Sequence, residues 1–139
     1  MSGKFNRWVM ILSLLSSFCI LSSCSNTKNI NDYYPFLKSN DNKAPLTLLF
    51  SNEADLAEEH IYYDAIIGVQ QTYPDKLSNV VVISQQETEL IDYYNIETYP
   101  TLLILDGVDI KLRIEGPQGL ANIYEELEFI LQNSSEKAS

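Results

Sequence analysis

From residue 44 onward the hydrophobic positions alternate between short apolar runs and helical stripes. Residues 45–51, PLTLLFS, form a nearly continuous apolar run, which predicts a strand buried on both faces. Ser51 or Asn52 then offers a helix N-cap, and the acid-rich stretch that follows, together with HIYYDAIIGVQQTY, predicts a helix of about 20 residues. NVVVIS, residues 79–84, is β-branched and predicts a second strand. Residues 87–96 predict a short helix with Leu90, Ile91 and Tyr94 on one side. TLLILD at 101–106 predicts a third strand, Gly107 and Val108 a turn, and the alternating residues 109–116 a fourth strand. Residues 120–132 close the series as a helix, with Leu120, Ile123, Leu127, Ile130 and Leu131 at helical spacing. The fold class is therefore α/β, a single domain over 44–132, and 133–139 read as a frayed tail.

The first 43 residues follow another pattern. Lys4 and Arg7 stand without any acid before an apolar run of 13 residues at 9–21, the layout of a secretory signal. The run is too short for an ordinary transmembrane helix, which needs about 20 apolar residues. It ends in LSSC, residues 21–24, which resembles the lipobox of bacterial lipoproteins. That resemblance implies a signal peptide over 1–23, cleavage before Cys24, and a thioether-linked diacylglycerol on Cys24, with or without an N-acyl chain. The competing reading is an ordinary signal that leaves Cys24 as a free thiol. Cys19 is most simply a small apolar residue of the leader. Residues 25–31 are polar and read as a linker with a reach on the order of 15 Å. In 32–43, Tyr33, Tyr34, Phe36 and Leu37 predict a short helix or turn covering an edge of the domain, with Pro35 tolerated only near its start.

Charge narrows the partners. The whole chain carries 9 Lys and Arg against 19 Asp and Glu, and removal of Lys4 and Arg7 with the leader leaves 7 − 19 = −12. Nucleic acid is excluded as a partner, because its binding rests on cationic side chains displacing phosphate counterions. Direct docking on anionic headgroups is disfavoured for the same reason. Membrane attachment falls to the lipid on Cys24.

The order of elements, together with YNIETYPTLLILDGV at 94–108, resembles thioredoxin. In that family the proline of this segment is cis and lies beside a C-x-x-C dithiol. The resemblance implies a cis bond between Tyr99 and Pro100, and places the dithiol position at 55–58, where this chain reads DLAE. The only cysteines are Cys19 and Cys24, and a carboxylate cannot replace a thiolate in disulfide exchange. Fold and reaction are separate matters. The expectation is a non-catalytic thioredoxin-like lipoprotein on the outer face of the cell membrane, with Tyr99 and Pro100 facing an extracytoplasmic protein or cell-wall component. Pro100 merely shaping its turn, with Tyr99 packed locally, is the plain alternative. Two other functions stand beside this one: an enzyme of the same fold that draws on a partner's thiols or uses His60, and a passive, peptidoglycan-associated structural lipoprotein.

Other features have ordinary explanations. Glu53, Asp55, Glu58 and Glu59 are the oxygen donors a hard cation prefers, but acids also suit the first turn of a helix, and no EF-hand pattern accompanies them. No metal or dissociable cofactor is expected. His60, the single histidine, reads as a partly buried structural residue. The tyrosine pairs at 33–34, 62–63 and 93–94 could stack on glycans, although paired aromatics more often divide between core and rim. Glu125, Glu126 and Glu128 form the solvated face of the last helix.

Overall fold

The computed structural model describes residues 29–38, 45–77 and 79–133. The predicted leader, Cys19, Cys24 and the tail from 134 lie outside them. Four strands, β1 (Leu46–Ser51), β2 (Asn79–Ser84), β3 (Thr101–Asp106) and β4 (Asp109–Glu115), form one sheet in the order β2-β1-β3-β4. β2 runs parallel to β1, whereas β3 runs antiparallel to β1 and to β4. Four α-helices accompany the sheet: α1 (Ile30–Tyr33), α2 (Leu56–Thr72), α3 (Thr88–Tyr94) and α4 (Leu120–Asn133).

The period-two geometry of the central strands divides the core. Leu49, Leu102 and Ile104 face one layer, packed on Tyr62, Ala65, Ile66 and Val69 of α2 and on Ile123, Leu127 and Leu131 of α4. Leu48, Phe50, Leu103 and Leu105 face the other layer, on Leu90 and Tyr94 of α3. This double burial is why β1 and β3 read as nearly continuous apolar runs. Of the four apolar residues expected to cover the domain's edge, Tyr34, Phe36 and Leu37 pack against the second layer together with Ile30, whereas Tyr33 stands 53% exposed.

Several local boundaries differ from expectation. Ile30 and Asn31 belong to α1, where the Asn29 side chain caps the Asn31 amide, rather than to a linker. A 3-10 turn, Pro35–Leu37, follows, with proline in its first turn as its fixed φ requires. Before α2, Glu53–Asp55 form a second 3-10 turn capped by Asn52, so the α-helix starts at Leu56. Leu120 is 48% exposed although it lies on the predicted apolar stripe. It is the first residue of α4, and the buried stripe begins one turn later at Ile123. Among the described residues no helix is long and apolar enough to cross a membrane.

Candidate functional site at the Pro100 edge

The register places Phe50 opposite Thr101 and Thr101 opposite Glu115. Three chain segments therefore emerge at one end of the sheet: the turn after β1, the approach to β3, and the exit from β4.

The approach to β3 is fixed from both sides. Helix α3 ends at Asn95, whose φ of 52° lies in the left-handed region, and the Ile96 amide donates to the Ile91 carbonyl in a Schellman-type closure. Asparagine tolerates that conformation better than most residues. Arg113, reaching across from β4, donates to the Tyr94 and Asn95 carbonyls and pairs with Glu115 at 2.7 Å. The Thr101 hydroxyl donates to the Thr98 carbonyl at 2.7 Å. The bond between Tyr99 and Pro100 is cis, as the resemblance implied.

Beyond β4, Gly116 ties the site together. Its amide donates to the Pro100 carbonyl at 2.8 Å, and its own carbonyl accepts from the Tyr62 hydroxyl at 2.6 Å. A side chain at 116 would meet nothing within 4 Å, so the φ of +69°, rather than space, calls for glycine. Burial, followed by the nearby charge of Glu115, pushes the Tyr62 phenol up to about 12. It remains a neutral donor at ordinary pH.

Pro100 is buried and Tyr99 half-buried. The Tyr99 ring packs against the second core layer, and burial raises its phenol. Its main chain makes no hydrogen bond to any described residue. Local packing of the Tyr99 ring and a main chain unpaired among the described residues therefore coexist.

On the facing segment, the dithiol position of the resemblance spans the end of the 3-10 turn and the start of α2. Leu56 stands 65% exposed there, and residues 55–58 carry no sulfur. Glu59, only 2% exposed, turns inward: its Oε1 accepts from the Ser51 hydroxyl and the Asn52 amide, each at 2.7 Å. Its role is to clamp the turn after β1. The Ser51 signal was legible only as an N-cap; the carboxylate eight residues later that binds it was not. His60 corrects its expectation. The side chain is 77% exposed and pairs with Asp64 at 3.2 Å, one turn on along the helix. At position 60 the chain points outward between the buried Glu59 and half-buried Ile61, so the residue is not the partly buried structural histidine expected. Cys24 lies outside the described residues.

No protein-family model matches the chain. It is similar to a Pal-related lipoprotein of Bacillus subtilis (strain 168), 29% identical over 112 residues that cover 79% of this chain and 85% of the relative. Among solved structures it is similar to thioredoxin O2 from Arabidopsis thaliana in the oxidized state. The TM-score is 0.57 at 20% identity, over 70% of this chain and 85% of that one. The fold is thioredoxin-like. At that identity the likeness speaks for the fold and leaves activity open.

Proposed function

We propose that this chain is a lipoprotein held on the outer face of the cell membrane by a diacylglycerol on Cys24, and that it works without catalysis by holding an extracytoplasmic protein or cell-envelope component along the Pro100 edge. Similarity to a chain named as a lipoprotein supports the anchor, as do the charged start, the short apolar run and LSSC in that order. The observation that carries the binding role is the Tyr99 backbone beside Pro100, unpaired among the described residues, at the same end of the sheet as a turn after β1 that has no thiol. An extended peptide could satisfy those backbone groups, and the tyrosine ring would serve as an amphipathic anchor. Peptidoglycan association belongs to the same proposal as one form of the cell-envelope partner.

The test is photocrosslinking in cells from a reactive residue at position 99, with the same probe at exposed position 125 as reference. A discrete adduct from 99 that is absent from 125 is the expected result. Equal labelling from both positions would remove the binding role, and turnover of a disulfide substrate by the purified chain would remove the non-catalytic one.

A further inference from the structure

The N-terminal segment of α1 and its 3-10 turn is fastened to one side and one end of the sheet. Ile30, Tyr34, Phe36 and Leu37 pack against the second core layer, the one that α3 covers, while α2 and α4 cover the opposite face. The rings of Tyr34 and Phe36 meet with centroids 5.7 Å apart. The Tyr34 hydroxyl donates to Glu87 at 2.8 Å, and the Glu87 amide donates to the Ser84 carbonyl. Ser84 ends β2 opposite Ser51, next to Phe50, which stands opposite Thr101. The fastening therefore lies toward the end of the sheet that carries the Pro100 edge. Tyr99 packs against the same layer.

Five chain steps separate Asn29, at the start of this segment, from Cys24. Bond geometry limits five steps to about 18 Å in any conformation. A domain of this size has a radius of gyration of about 13 Å, which corresponds to a sphere about 34 Å across. With Cys24 acylated at the membrane, Asn29 stays within roughly half a domain diameter of it. A point on a sphere resting on a plane is that low only in the half that faces the plane. Lifting the sphere off the plane narrows the range further.

We infer that the anchored domain is held with its α1 and α3 side toward the membrane and its α2 and α4 side outward, so that the Pro100 edge opens to membrane-proximal segments of a partner. The orientation rests on the proposed lipid at Cys24 and refines it. It calls for no adhesion of the protein surface, which the acidic balance of the chain opposes.

The test is energy transfer in phosphatidylcholine vesicles that carry an acceptor dye on a fraction of the headgroups. Acylation consumes the Cys24 thiol, so a single cysteine introduced as Asp92→Cys on α3, Thr98→Cys beside Tyr99, or Glu125→Cys on α4 takes the donor dye. All three positions are exposed. Transfer from 92 and from 98 should exceed that from 125 at least about two-fold, because the far side of the domain stands about 34 Å from the near side. Inserting about 20 glycine and serine residues between Lys28 and Asn29 raises the reach of the tether to about 25–30 Å on average and far more at full extension, and should remove most of that difference. Mass spectrometry of the N-terminal peptide separates the two readings. Equal transfer from 92 and 125 with diacylglycerol present on Cys24 would overturn the orientation and leave the anchor standing, whereas a peptide without lipid would remove both. Transfer from 98 no higher than from 125 would withdraw the Pro100 edge from the membrane side. A difference that survives the longer linker would overturn the tether as its cause, because the protein surface itself would then be adhering.

Discussion

At the scale of single residues, two buried polar groups allow opposite predictions. Thr47 is fully buried in β1, and its hydroxyl has no hydrogen-bond partner among the described residues. An orphaned buried hydroxyl costs free energy that a methyl group of the same shape does not. Thr47→Val should therefore raise stability by about 1 kcal/mol, read as a higher urea midpoint at unchanged slope. A lowered midpoint would mean that the hydroxyl has found a partner. Tyr62 is the reverse case, buried and bonded to Gly116. Its phenol titrates at about 12 in the fold, against the ordinary tyrosine value of 10.0 that the unfolded chain regains. Below pH 10 both folded and unfolded chains keep the proton, and its contribution is fully present. Between pH 10 and about 12 the unfolded chain loses the proton first, so stability falls and the contribution is gone above the folded value. Tyr62→Phe should cost about 1 kcal/mol at neutral pH, since the Gly116 carbonyl loses its donor. It should also fall less steeply with pH in that alkaline window. Parallel stability curves for the two proteins would refute the assignment.

Among elements, the contact between α2 and α4 is set by Gly68. A Cβ built there would lie 3.2 Å from the Tyr124 ring, whose hydroxyl sits 3.2 Å from that of Thr72. Gly68→Ala gains helix propensity of about 1 kcal/mol against a modest shift of that ring, and should be nearly neutral. Gly68→Leu has no such compensation and should cost roughly 1–3 kcal/mol by overpacking, seen in thermal melts. Full parental stability in the leucine variant would show that the two helices part easily. The same elements explain what the sequence made legible. β1 and β3 were readable because both faces of each are buried, and α4 because one stripe of it is. Helix α2 was readable in extent but not in its first turn: Asn52 caps a 3-10 segment whose end is fixed by Glu59 reaching back to Ser51 and Asn52. That bond between the helix and the strand end leaves no trace in local pattern. The Pro100 edge was readable from its motif, whereas its supports, Tyr62 on α2 and Arg113 and Gly116 on β4 and its exit, lie far from it in sequence and meet it only in the folded sheet. His60 failed for a similar reason, since no polar residue beside it in sequence reveals which way a helix of mixed apolar faces is turned.

For the whole molecule, the decisive balance is between lipid and charge. Loss of the leader would leave a chain of formal charge 7 − 19 = −12, which anionic headgroups repel at short range with a force that salt screens. The protein surface therefore opposes membrane contact, and under the proposed lipidation of Cys24 the acyl chains would supply the attachment. Each buried methylene contributes about 0.8 kcal/mol, so that two chains hold firmly where one would exchange. Cys24→Ser removes the atom to which the proposed diacylglycerol would attach, while leaving the described domain untouched. The variant is expected to move from the membrane pellet to the soluble or secreted fraction, with the same melting temperature as the parent domain. Raised salt is expected to leave the parent in place, because insertion of acyl chains does not depend on ionic contacts. Retention of the serine variant in the pellet through a salt wash would place the anchor in the uncleaved apolar run at 9–21. Release by salt alone would place it in charge.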